Sequence, residues 1–302
     1  MMPIPFVKEF DPNYGQAVIL APNIRRLTAP NPSPFTFKGT NSFLIGTDTL
    51  ALIDPGPNDK NHLQTLLKHI DSHPLSHIFV THCHLDHCGL AKKIAQHTGA
   101  KIVAVGRYRH ANNEAFSNQI ILESGSQIDF KPDIDLKDGQ TIEGDGWAIT
   151  SVTTPGHMAS HTAFALANSG ILFTGDHVMA WSTTVIAPPE GSMRDYMHSL
   201  DKLLKRHDKV YLPGHGGAVY KPHHFVRALK THRKIRECAI FNRLAKGDCD
   251  IKTIVQTLYR DTDPKLHKAA ALSVFAHLED LVARNLVKTK GAPSLYGHYS
   301  IS

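Results

Sequence analysis

The order of apolar and polar positions predicts strands and helices in alternation over the first two thirds of the chain. "NSFLIG" (41–46) and "TLALIDPG" (49–56) are short apolar runs suited to buried strands, joined by the turn residues Thr47 and Asp48. In "KNHLQTLLKHI" (60–70), Leu63, Leu66, Leu67 and Ile70 recur at helical spacing. "HIFVT" (77–81) and "AKIVAV" (100–105) read as strands. Between them "GLAKKIAQHTG" (89–99) reads as a helix closed by Gly99. "WAITSVTTPGH" (147–157), "TAFALANSGILFTGDH" (162–177) and "KVYLPGHG" (209–216) are strand-like runs, each ending in a histidine-bearing loop, and "MRDYMHSLDKLLKRH" (193–207) is an amphipathic helix. Strands with interspersed helices predict an α/β core.

The last 80 residues follow a different rhythm. Ile235, Ala239, Phe241 and Leu244 stand near helical spacing in residues 230–246, and Gly247 stops that helix. Asp250 caps a second helix whose face is Ile251, Ile254, Val255 and Leu258. Pro264 opens a third, through about Arg284, with Leu266, Ala270, Val274, Leu278 and Leu281 spaced for burial. "LVKTKGAPSLYGHYSI" then reads as two strands about a turn. Three helices and a hairpin form a winged-helix pattern. The expected division is a catalytic domain over 1–222 and a winged-helix-like domain over 223–302.

Charge follows that division. Residues 223–302 hold 14 Lys and Arg against 7 Asp and Glu, while residues 1–222 hold 19 against 20. A basic appendage attracts phosphates, although small helical domains are also basic without binding any. No apolar run reaches the length of a membrane-spanning helix, and the first residues lack the basic patch and apolar stretch of a signal peptide. The four cysteines form no C-x-x-C pair. A cytoplasmic protein is expected, with no membrane partner and with its oligomeric state open, a dimer included.

The densest chemistry lies in "VTHCHLDHCG" (80–89), where His82, His84, Asp86 and His87 crowd into six positions. In extended backbone, residues two apart point the same way, so His82 and His84 can converge on one ion. Asp86 and His87 follow as the chain begins to turn and can point to a second place nearby. "TTPGH" ends at His157, "TGDH" holds Asp176 and "PGHG" holds His215, each after a strand-like run and beside a glycine. Strand ends gather side chains from distant sequence. Six or seven such ligands exceed the needs of one tetrahedral ion and suit two. Cys83 and Cys88 read as small packed residues, and His177 as a structural residue. His198, the pair Arg25 and Arg26, and Arg107, Tyr108 and Arg109 of "GRYRH" are weaker candidates for substrate contact. For each of them an ordinary surface or packing role is the simpler reading.

"THCHLDH", "TPGH", "TGDH" and "PGHG", in that order and with "LIDPG" upstream, closely resemble the metallo-β-lactamase fold superfamily over residues 35–220. The resemblance implies a four-layer αβ/βα sandwich with metals at one edge. It implies that His82, His84 and His157 hold one metal, that Asp86, His87 and His215 hold the second, and that Asp176 bridges. Asp54 of "LIDPG" matches an outer residue that orients the site. Two divalent ions are implied, zinc first, with manganese or iron compatible. Two cations sharing a water lower its pKa from about 15.7 toward 7, so hydroxide can attack a carbonyl or phosphorus centre, with Asp86 and Asp176 as the catalytic carboxylates. Asp176 argues against a true β-lactamase, because enzymes of the superfamily specialised for β-lactams usually lack a bridging aspartate. With its winged-helix tail the chain is similar to a lactamase-beta-like subgroup that includes a mitochondrial single-strand endoribonuclease of animals. Three functions are therefore expected, in order. The first is a phosphodiesterase acting on single-stranded RNA or a small phosphoester. The second is a thioester or other acyl hydrolase of the glyoxalase II kind. The third is a non-enzymatic nucleic-acid binder whose front domain senses metal.

Overall fold

The computed structural model describes residues 4–70, 73–111, 125–247 and 249–302. Two sheets form the body of the molecule. The first has seven strands in chain order: β1 (Val18–Ala21), β2 (Ile24–Thr28), β3 (Asn41–Ile45), β4 (Leu50–Ile53), β5 (Leu75–Phe79), β6 (Lys101–Ala104) and β7 (Ile134–Asp135). The second comprises β8 (Thr141–Gly144), β9 (Trp147–Thr153), β10 (Thr162–Leu166), β11 (Ile171–Gly175) and β12 (Val210–Pro213), in the spatial order β12-β11-β10-β9-β8. The run expected at 162–177 divides at Asn168 (φ 58°) and Gly170 (φ 71°) into the antiparallel pair β10 and β11.

Continuous apolar runs form strands here because both faces of each sheet are covered. Along β4, Ala51 and Ile53 point between the sheets while Leu50 and Leu52 point outward. Along β11 and β12, Phe173 and Leu212 point inward while Leu172 and Tyr211 point outward. The inner layer is rich in rings: Phe79 meets Phe164 edge-on at 5.2 Å between centroids, and Phe43 lies 5.0 Å from Phe173. Helices α1 (Lys60–Ile70) and α3 (Ala91–Thr98) cover the first sheet through Leu66, Ile70 and Ile94. Between β5 and α3, where a loop was expected, Leu85–Cys88 makes a single helical turn, α2. Helix α4 (Met193–Leu204) covers the second sheet with Tyr196, Leu200 and Leu203, capped by the Ser192 side chain, which accepts from the Asp195 N–H. The result is four layers, helix-sheet-sheet-helix.

Helix α5 (Pro222–Ala245) runs across the expected 222/223 division. Phe225, Val226 and Leu229 near its start pack on α4 and the second sheet, whereas Ile240 and Leu244 near its end join a separate core. That core is built with α6 (Ile251–Leu258), α7 (His267–Ala283) and the hairpin β13 (Val287–Thr289) and β14 (Tyr299–Ile301), the order of a winged helix. Asp250 caps α6 as the sequence predicts, accepting from the Thr253 N–H at 2.8 Å. α7 is buried without interruption from Leu272 to Leu278, and Ala276 reaches the core that lies under α4. Arg194 of α4 donates to Asp280 of α7 at 2.9 Å across the same contact. α7 is a packing helix that fastens the tail to the sandwich. Among the described residues, no helix is long and apolar enough to cross a membrane.

At the end of α1 nearest the loop 54–59, His62 lies buried with its Nε2 3.0 Å from Ser42 Oγ and its ring against Gly56. Burial pushes its pKa down to about 4, against the opposing charge of Asp59. The folded value lies below the unfolded one of about 6.5, so this contribution to stability is complete above pH 6.5 and is lost as pH falls toward 4. His62→Gln should therefore flatten the fall of urea-unfolding free energy between pH 6.5 and 4 by about 2–3 kcal/mol. An unchanged slope would show that His62 does not carry it.

Candidate metal centre

Two pairs of parallel strands bring the sequence motifs together. β4 runs parallel to β5, so Asp54 and the segment beginning at Thr81 emerge side by side. β11 runs parallel to β12, so Asp176 and His215 emerge side by side from the other sheet. Backbone hydrogen bonds clamp the two sheets at this end: Asn41 N–H donates to Gly214 at 2.7 Å, and Thr162 N–H donates to Thr81 at 2.9 Å. Two glycines make room. A Cβ on Gly214 would stand 2.5 Å from His87 Cε1 and 2.9 Å from Asp176 Oδ1, and one on Gly175 would stand 2.7 Å from His161 Nε2.

Seven side chains meet in the space so formed. His82 Nε2 lies 3.0 Å from His84 Nδ1, which lies 3.1 Å from His157 Nε2. On the other side His87 Nε2 lies 3.2 Å from His215 Nε2, with Asp86 Oδ2 at 3.5 and 3.3 Å from them. Asp176 stands between the groups. Its Oδ1 is 3.3 Å from His87 Nε2 and 3.4 Å from His215 Nε2, while its Oδ2 faces His157 Nε2 at 3.8 Å. The structure thus brings together His82, His84, Asp86, His87, His157, Asp176 and His215 in two triads with an aspartate between them. Cys83 and Cys88 face away into the core beneath the first sheet, as expected of packed residues.

The outer partners settle which ring nitrogens are free. Asp54, held at φ 49°, accepts from the Thr81 N–H, the Thr81 hydroxyl and His87 Nδ1, each at 2.8 Å. Because Thr81 Oγ1 donates to Asp54, it accepts from His82 Nδ1 at 2.9 Å. His157 Nδ1 donates to the Val185 carbonyl at 2.7 Å, His215 Nδ1 to the Gly39 carbonyl at 3.2 Å, and His84 Nε2 faces Glu190 Oε2 at 3.4 Å. In each histidine the outer nitrogen is engaged by a hydrogen-bond partner, so the inner nitrogen is the one left to serve as a ligand.

Such an arrangement fits divalent cations. The inner nitrogens stand 3.0–3.2 Å apart, close to the separation of about 3.3 Å between ligand nitrogens around one tetrahedral zinc. Asp86 Oδ1 and Asp176 Oδ1 are buried without a hydrogen-bond donor. Burial works against a charged His87 ring, yet Asp176, Asp86 and Asp54 outweigh it and hold His87 well above the ordinary imidazole range. His215 is raised to about 9 against burial, chiefly by Asp176. His82 is driven the other way by burial and by the His87 and His84 rings. The second triad, with its two carboxylates, therefore demands positive charge, and the two triads together could hold metal ions.

Glu190, Thr81 and His161 complete the site and carry no signal in the sequence pattern. Despite burial, the Glu190 carboxyl is held down to about 2 by hydrogen bonds from His84 and Ser126. His161 is buried; its Nδ1 pairs with Thr154 Oγ1 at 2.9 Å, and its Nε2 accepts from the Asp176 N–H at 3.2 Å, fixing the backbone of that residue. His177 packs on Tyr196 with ring centroids 4.7 Å apart, a structural role as expected. The weaker substrate candidates scatter. His198 is exposed on α4, and Arg109 donates to the Ala159 carbonyl at 2.9 Å. Tyr108 hydroxyl pairs with His110 at 3.0 Å, and Arg107 is exposed. Arg25 is half-buried on β2. Arg26, expected at the surface, is buried with its guanidinium 4.4 Å above the Phe10 ring.

Comparison with known proteins accords with this geometry. A family model described as "Metallo-beta-lactamase superfamily" matches residues 35–215, and one described as "Beta-lactamase associated winged helix domain" matches residues 251–294. The chain is 29% identical over 270 residues to the Beta-lactamase-like protein 2 homolog of Drosophila melanogaster, covering 87% of this chain and 88% of that protein. It is 28% identical over 249 residues to the Thioesterase pkgB of Emericella nidulans, covering 82% of this chain and 64% of that protein. The metallo-beta-lactamase family protein TTHA1429 of Thermus thermophilus shares the fold with a TM-score of 0.77 at 23% identity, over 94% of this chain and all of that one. A family match over more than half its length, on a four-layer sandwich with this convergent His and Asp set, makes the chain a member of the metallo-β-lactamase superfamily, a hydrolase that carries the associated C-terminal winged helix.

Proposed function

We propose that the chain hydrolyses an acyl thioester with two divalent metal ions, zinc first, and that it works in the cytoplasm. In this reading His82, His84 and His157 would hold one ion, Asp86, His87 and His215 would hold the other, and Asp176 would be shared between them. Two ions bound there would lower the pKa of a shared water from about 15.7 toward 7 and polarise the substrate oxygen. The observation that carries the hydrolytic reading is the position of Asp176, one oxygen toward each triad. Asp86 and Asp176 are both held below the ordinary carboxylate range by the neighbouring histidines, in opposition to burial. Ionised, they can accept hydrogen bonds from the attacking water and orient it. Asp54 positions His87 directly and His82 through Thr81. Glu190 and Ser126 steady His84 from the opposite side.

The choice of a thioester over a phosphodiester rests on two supports. One is the likeness to a protein named as a thioesterase. The other is α7, whose middle turns pack against protein and not outward. Hydrolysis of single-stranded RNA or a smaller phosphoester is the second reading, favoured by the 14 basic residues against 7 acidic ones in the tail. Part of that charge is already paired: Lys230 with Asp201, and Arg284 with Glu237 and Asp280. As a hydrolase, the chain is no longer a candidate for a purely nucleic-acid-binding role.

Metal analysis of the purified chain should find about two ions, and Asp176→Asn should lose one of them or about two or more powers of ten in kcat. Normal metal content together with normal turnover in that variant would refute the two-metal reading. A panel of a glutathione thioester, bis-p-nitrophenyl phosphate and a fluorogenic single-stranded RNA separates the substrates. Thioester turnover alone supports the first reading, and RNA cleavage lost in Asp176→Asn replaces it with the second. Asp54→Asn should keep a native circular-dichroism spectrum while metal affinity falls about 10–100-fold, because the support of both His82 and His87 is weakened. Unchanged affinity would remove Asp54 from that role.

A further inference from the structure

Asp176 and His157 reach the metal centre from different loops, yet one short segment holds both. The buried Thr184 donates its hydroxyl to the carbonyl of Asp176 at 2.7 Å, with the carbonyl of His177 3.0 Å away. At the next residue, the Val185 carbonyl accepts from His157 Nδ1 at 2.7 Å. Ile186 follows with its side chain in the core under α4. Residues 184–186 therefore form a strut. Its end is anchored in apolar packing, and its polar groups face the aspartate between the triads and one histidine of the first triad.

The strut is itself held from the C-terminal side. Val226, Leu229 and Arg233 stand three and four positions apart on α5 and share one face. The first two fill the core under α4, so the pattern calls for an apolar residue at 233. Arg233 is buried there and donates through Nη2 to the Thr184 carbonyl. Its guanidinium lies 5.2 Å from the centre of the Tyr196 ring of α4. Among the described residues it has no carboxylate partner, and its Nε is buried with no hydrogen bond. Taking a guanidinium out of water without a counter-charge is costly, and an apolar side chain of similar volume fills such a space without that cost. Packing alone therefore does not account for Arg233. Among the described residues, the one hydrogen bond its side chain makes is to the strut.

We propose that Arg233 is a positioning residue of the metal centre: from the helix shared with the C-terminal module, it holds Thr184 and Val185 so that Asp176 and His157 keep the arrangement that binds the metal ions. The inference rests on the metal-centre reading above and is independent of the substrate. It gives the C-terminal module a part in the site, because α5 continues into the core of that module through Ile240 and Leu244. Thr184 touches the backbone of a ligand, whereas Arg233 acts through Thr184.

The zinc affinity of the full chain, measured by competition with a chromophoric chelator, tests these contacts. Thr184→Val keeps the shape and removes the hydroxyl, and Arg233→Met keeps the reach without charge or donor. Each should weaken zinc binding about tenfold, the low end for losing an outer partner of a metal ligand. Thr184→Ser, which keeps the hydroxyl, should bind zinc as the wild type does. Because both residues act through one strut, the double variant Thr184→Val/Arg233→Met should also lose about tenfold and not about a hundredfold. Urea unfolding of the same variants separates positioning from packing: wild-type zinc affinity in an Arg233→Met chain that only unfolds more easily would overturn the inference. Losses that multiply in the double variant would overturn it too. If Arg233→Met does not fold, Arg233→Gln takes its place; its side chain is too short to keep the bond to Thr184, and the same loss is expected. A wild-type chain that binds no zinc sinks the metal-centre reading and this inference with it. A wild type that binds about two ions, with variants that bind them equally well, sinks the inference alone.

Discussion

The structure turns on an electrostatic demand: five imidazole rings and two carboxylates converge in a space almost closed to water. Without positive charge among them the carboxylates lie desolvated and uncompensated. With it, each becomes a ligand. Asp54 sits at the root of this arrangement. Its left-handed backbone turns the carboxylate back under the site, where it receives Thr81 and His87 together and reaches His82 through the Thr81 hydroxyl. One residue thereby sets the tautomer and direction of a ring in each triad.

The sandwich exists to hold the two halves of that site in register. His82, His84, Asp86 and His87 come from the first sheet, and His157, Asp176 and His215 from the second. Apolar packing between the sheets, with Phe79 on Phe164 and Phe43 near Phe173, fixes their spacing but carries no directional information. Direction comes from the cross-sheet hydrogen bonds of Asn41 and Thr162, made within a few residues of the ligands. The core and the site thus share the labour: burial holds the layers together, and a few polar links at the open edge decide where each ligand points.

The C-terminal helices show how a familiar element order can be put to another use. Their sequence has the helices and hairpin of a winged helix, and a basic excess that invites a nucleic-acid partner. Packing changes the meaning. α5 belongs to two cores at once, and α7 is enclosed along its middle turns and bound to α4 through Ala276 and Asp280. The middle turns of α7 are spent on protein contacts, while Lys268 near its start and Ala283 at its end stay exposed. The tail braces α4 and, through Arg233 of α5, holds Thr184, which in turn holds the backbone of Asp176.

Much of this was legible in the residues themselves, for a physical reason. Metal ligands are few in kind, and an H-x-H-x-D-H run between a strand and a helix has little other use, so His82 to His87 announce their chemistry locally. Glycines beside His157, Asp176 and His215 mark places where backbone must pass close to side chains. Helix caps and periodicity placed α1, α3, α4 and α6 for the same reason: those signals act over a few residues. Glu190, His161 and the carbonyls of Gly39 and Val185 were not legible, because nothing in their own neighbourhoods distinguishes them. They matter only through partners 28 to 176 positions away or, for His161, across a strand pairing. The reach of Arg233 to Thr184 and the burial of α7 were hidden likewise. By itself the sequence determined which chemistry the chain carries and which local elements bear it. Tertiary structure alone decided which nitrogens are free, what encloses the site and which helix faces remain available, since each of those depends on contacts between segments that no local pattern encodes.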